Sequence, residues 1–85
     1  MTEPTRPNLP PELETALAGR HPATVGVAKY FTYQHLPEHL QAISGPCANL
    51  ATVMVGQLSD GPELTVGLRK LLEAKDCFVR QAVED

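Results

Sequence analysis

His35 and His39 stand four residues apart, the spacing at which two imidazoles on one helical face can hold a metal ion. Pro37 lies between them and sets His35 outside the helix, so the shared face is lost. No Cys or carboxylate cluster completes a ligand set, and no metal or other cofactor is expected. Catalysis lacks its parts as well. The chain has no glycine-rich phosphate loop, no serine elbow and no Cys/His/Asn set. The carboxylate pairs Glu12/Glu14 and Glu84/Asp85 read as solvated surface. A non-enzyme is the expectation.

Binding chemistry is better represented. The basic residues are Arg6, Arg20, Lys29, Arg69, Lys70, Lys75 and Arg80, and the last four crowd one C-terminal stretch. Lys75 falls on the apolar repeat Leu64, Leu68, Leu71, Lys75, Phe78, Ala82, so its stem is expected to be partly buried. That placement suits a snorkelling lysine, or a cation facing an anion in a groove between subunits. Tyr30, Phe31 and Tyr33 cluster beside Lys29. Aromatic faces with nearby cations fit stacked bases and phosphates, and the same cluster also fits a packing strap.

These residues must be held by a small fold. Eighty-five residues make one domain at a size where a monomeric core is marginal and oligomerisation is a common remedy. A net charge of −3 argues against an electrostatic grip on DNA or an anionic membrane, and neither partner is expected. Cys47 and Cys77 are too few for a disulfide framework and read as two buried free thiols. Residues 1–10 lack the apolar core of a secretory signal, which points to a soluble, intracellular protein.

Residues 1–8 read as a flexible arm, and 9–85 as a single all-α domain. Leu9-Pro10-Pro11-Glu12 opens a short N-terminal helix with Leu13 and Leu17 on its docking face, and Gly19 ends it. The β-branched and aromatic run from Ala23 to Tyr33 reads as an irregular extended connector. From about 37 to 83 the pattern is a long antiparallel αα-hairpin. In its first helix Leu36, Leu40, Ile43, Cys47, Leu50, Met54 and Leu58 keep a helical seam. Gly45-Pro46 interrupts that seam, and a kink or local break is expected near Ser44. Asp60 or Gly61 caps the second helix and Pro62 sits in its first turn. Arg69/Glu73 and Asp76/Arg80 are spaced as i,i+4 ion pairs on that helix, which faces solvent. Folding at Asp60 brings Cys47 near Cys77, so a disulfide is geometrically possible without being implied. Residues 40–59 carry no Asp, Glu, Lys or Arg. A helix so devoid of charge needs cover on two sides, and other subunits supply the second.

The Phe31-Thr32-Tyr33 triplet, the Leu36-Pro37-Glu38 helix entry and the run Leu64-x-x-x-Leu68-x-Lys70-Leu71-x-Glu73-Ala74-Lys75-Asp76 together resemble a known family. It comprises the helical-hairpin anti-defence proteins of phages, cyclic-nucleotide sponges that blunt the CBASS and Thoeris immune systems. The resemblance spans roughly residues 30–82. It implies a homo-oligomer, often a hexamer, in the cytoplasm of an infected bacterium. Such proteins sequester their ligand in pockets between protomers and do not cleave it. Their ligands include cyclic dinucleotides such as cGAMP, cyclic trinucleotides and cyclic ADP-ribose relatives. The tyrosine of the Phe-x-Tyr segment stacks on a base in these proteins, a role that falls to Tyr33 beside Phe31. The family's early-helix basic residue is replaced here by the neighbourhood Ile43-Ser44-Gly45. The phosphate contact is then left to Ser44 and Gly45, to Lys29, or to a cation of a neighbouring subunit. Arg80 matches basic residues that meet ligand from the second helix. A helical protein–protein interaction module with no small ligand is the alternative reading.

Overall fold

The computed structural model describes residues 9–85, so the expected arm at 1–8 lies outside the described residues. Those residues form four helices and no strand: α1 (Pro11–Leu17), α2 (Pro22–Ala28), α3 (Glu38–Gln57) and α4 (Pro62–Glu84). The all-α expectation holds.

Proline opens three of the helices in their first turn, where its missing N–H leaves nothing unpaired. After α1, Gly19 takes φ 75°, the left-handed conformation that a helix-ending glycine adopts without strain. The expected extended connector is replaced in its first half by α2. Pro22 presets the helical φ, and His21 Nδ1 accepts a hydrogen bond from the Ala23 N–H at 3.0 Å as a cap. Thr24, Val27 and Ala28 then bury one face of α2 against α4. Tertiary burial overrides the weak helix propensity of this β-branched run. Only the part beyond Ala28 is irregular, and it ends in a turn where the Leu36 N–H donates to the Tyr33 carbonyl at 3.0 Å.

α3 runs unbroken through Gly45-Pro46, so the expected break is absent. Pro46 is exposed, whereas Ser44, Gly45 and Ala48 are buried on the opposite arc. The proline therefore costs one backbone bond to Ala42 on the wet side, and packing of the dry side keeps the helix intact.

The two long helices are joined by residues 58–61 and pack on each other, while α1 covers α3 and α2 covers α4. Each long helix thus has its own short helix from the same chain, which corrects the expectation that α4 simply faces solvent. The core collects Leu9, Leu13 and Leu17 with Val27, Ala28 and Phe31, and sets them against Ala48, Ala51, Val55, Leu64 and Leu68. Two alanines in the middle of α3 let its neighbours approach closely. The result is a plate of 39 × 32 × 17 Å. Leu50 and Val53 of α3, Leu58 just after it, and Phe78 and Val83 of α4 remain exposed.

Asp60 is not a helix cap. Gly61 precedes α4 without a side-chain cap bond, and the Asp60 carboxylate turns toward the α1–α2 turn instead. On α4, Asp76 pairs with Lys75 at 2.9 Å rather than with Arg80.

Candidate functional site

The turn after α2 and the first half of α3 build the site around Tyr33. Gln41, one turn into α3, reaches back to this loop. Its side-chain Nε2 donates to the Leu36 carbonyl at 2.9 Å and to that of Gln34 at 3.4 Å, fixing the segment that presents Tyr33. The half-buried Tyr33 ring lies against Gly45, where a β-carbon would stand 3.6 Å from ring carbon Cε2. Ser44, next to it, is 1% exposed, and its hydroxyl has no hydrogen-bond partner among the described residues. The structure thus brings Tyr33 to Gly45, while Ser44 is Gly45's buried neighbour in the chain.

The other sequence-derived residues disperse. Phe31 is fully buried in the core, so it packs the fold and has no face left for a ligand. Lys29 stands at the exposed end of α2, with its Nζ 5.3 Å from the ring centroid of Tyr30 rather than of Tyr33. Lys75 has the expected buried stem: its side chain is 12% exposed and its amine is occupied by Asp76. Arg80 is exposed and donates to the Cys77 sulfur at 3.2 Å. Among the described residues no hydrogen bond or ion pair links Lys29, Lys75 or Arg80 to Tyr33 or Ser44.

Both cysteines are free thiols. Cys47 is half-buried, and burial pushes its thiol up from the ordinary range, with the nearby Lys75 charge acting the other way. It stays protonated at neutral pH. Cys77 is exposed, contrary to the expectation of two buried thiols. Neither His35 nor His39 is buried, and among the described residues no group of three His, Cys, Asp or Glu could hold a metal ion.

Sequence reasoning missed a polar cluster at the opposite end of the molecule. Arg20 Nε donates to Asp60 Oδ1 at 3.0 Å, and its two terminal nitrogens donate to the carbonyls of Val55 and Leu58. The His21 N–H donates to Asp60 Oδ2 at 3.1 Å, and the Thr24 hydroxyl to Oδ1 at 3.2 Å. Partial burial pushes the Asp60 carboxyl up. The His21 N–H, the Arg20 guanidinium and the Thr24 hydroxyl together outweigh that effect and hold it below the usual aspartate range. Both carboxylate oxygens of Asp60 have donors from within the fold, and the cluster ties the two turns together. Its partners lie 36 to 40 residues away, beyond any local motif.

Two shallow apolar grooves run along the α3–α4 junction. One, about 280 Å³, is lined by Leu50, Met54, Leu58, Leu64, Leu68 and Leu71; the other, about 450 Å³, by Ile43, Pro46, Cys47, Phe78 and Ala82 among others. The first pairs the end of α3 with the start of α4, and the second does the reverse. No described helix is long and apolar enough to cross a membrane.

Compared with protein-family models, with curated proteins and with solved structures, the chain has no match in any of the three.

Proposed function

We propose that this protein is a phage anti-defence sponge, which sequesters cyclic oligonucleotide immune messengers without cleaving them. The observation that carries this reading is the Tyr33 site: a half-buried ring seated on Gly45, in a loop held by Gln41. The open part of the ring would take a stacked base, and the packing of α3 on α4 supports the antiparallel hairpin that the resemblance implies. Beyond Glu38 in its first turn, the outer side of α3 exposes His39, Ala42, Pro46, Asn49, Val53 and Gln57, none of which is Asp, Glu, Lys or Arg. That face suits contact with further copies of the chain in a homo-oligomer, a hexamer by analogy with the family. Phosphates would then meet a cation of a neighbouring protomer, for which the exposed Arg80 is the candidate. The working place of the protein is the cytoplasm of an infected bacterium, where it would block activation of CBASS effectors.

Calorimetry against cGAMP, other cyclic dinucleotides, cyclic trinucleotides and cyclic ADP-ribose relatives tests the reading. Binding of one ligand class is expected, with the ligand recovered intact by mass spectrometry after heating. Stacking contributes about 1–3 kcal/mol per base, so Tyr33→Ala should weaken binding roughly ten- to a hundredfold. No heat with any of these ligands would sink the proposal. The apolar groove of Leu50, Met54, Leu58, Leu64, Leu68 and Leu71 favours a second reading, a helical module that docks another protein. That version yields a heterotypic partner in pull-downs and no retained small molecule.

A further inference from the structure

The groove between α2 and α4 carries chemistry that the Tyr33 site does not use. Ala23, Gly26 and Val27 of α2 form one wall, Arg69 and Leu72 of α4 the other, and Tyr30 closes the end. Its volume of about 360 Å³ lies within the range of small-ligand sites. Tyr30 is 57% exposed, and Lys29 stands at cation–π distance from its ring. Neither Lys29 nor Arg69 has a carboxylate partner among the described residues, where the ion pairs are Arg20–Asp60 and Lys75–Asp76. No acidic residue lines the groove.

An exposed aromatic ring and one unpaired cation, Arg69, lining a groove with small apolar residues, complement an aromatic base that bears a phosphate. A bare inorganic anion would leave the ring and floor unused, and a purely apolar ligand would leave Arg69 unused. We infer that this groove binds a nucleoside phosphate, its base against Tyr30 and its phosphate at Arg69. The site is separate from Tyr33, which packs on Gly45 of α3.

Gly26 supplies a clean test. A β-carbon there would meet nothing within 4 Å, so a side chain at this position starts into open space and Gly26→Leu extends into the groove that Gly26 lines. The full chain, isotopically labelled, is titrated with AMP, adenosine and inorganic phosphate while backbone amide resonances are followed. AMP should shift the amides of Gly26, Tyr30 and Arg69 and saturate, with adenosine and phosphate each binding at least roughly tenfold more weakly. Arg69→Gln should weaken AMP binding by a similar factor. Gly26→Leu should abolish it while leaving the circular dichroism spectrum and melting temperature at or above those of the parent. Unshifted amides around Gly26 and Tyr30 at millimolar AMP, or equal binding to Gly26→Leu, would overturn the inference. Tyr33→Ala should leave this titration unchanged, so failure of either site is read independently of the other.

Discussion

Ser44 is the residue at which stability and binding pull apart. A buried hydroxyl without a partner costs about 1–3 kcal/mol of desolvation, and alanine also has the better helix propensity. Ser44→Ala should therefore stabilise the protein by about 1 kcal/mol in urea unfolding. If the hydroxyl serves a ligand at the Tyr33 site, the same variant should bind that ligand more weakly. A destabilised Ser44→Ala would mean that the hydroxyl already has a partner, and its place in the site would lapse. Cys47 behaves differently from its neighbour Ser44: its sulfur has the Ile43 carbonyl within 3.6 Å, and its buried thiol needs no ligand to explain it.

At the scale of elements, Pro46 is the anomaly in α3. Its ring is exposed and packs no core, yet it removes a backbone bond from the middle of a long helix. Pro46→Ala should stabilise the chain by about 1–3 kcal/mol, read as a shift in the urea midpoint without a change in slope. The elements themselves were largely legible in the sequence. The α1 start, the Gly19 stop, the 58–61 punctuation and the lengths of α3 and α4 all follow from proline, glycine and apolar spacing. α2 was not legible, because Val25, Val27 and Thr24 speak for an extended chain until their burial against α4 is known. In the site, the family resemblance points to Tyr33 and to Gly45, which the structure sets against each other. Tyr30 with Arg69 could not, since only the docking of α2 on α4 brings them to one groove. Phe31 carried the right residue type for stacking and the wrong side of the chain.

At the scale of the whole molecule, Arg20 and Asp60 fasten the α1–α2 turn to the α3–α4 turn. The Asp60 carboxyl titrates below its ordinary value, so its share of the stability is present at neutral pH. That share is lost as pH falls through the folded-state value. Asp60→Asn should lower the melting temperature at neutral pH and flatten its decline in acid; parallel curves for parent and variant would contradict this. The same contact spans 40 residues of sequence, whereas α3 and α4 meet across residues 58–61. Closing the longer loop is the dearer step in chain entropy, so it belongs late in folding, after the long helices have paired. Rate measurements on Asp60→Asn should then find unfolding accelerated and refolding nearly unchanged. The clasp would be a lock turned last, governing how long the folded state survives more than how fast it is reached.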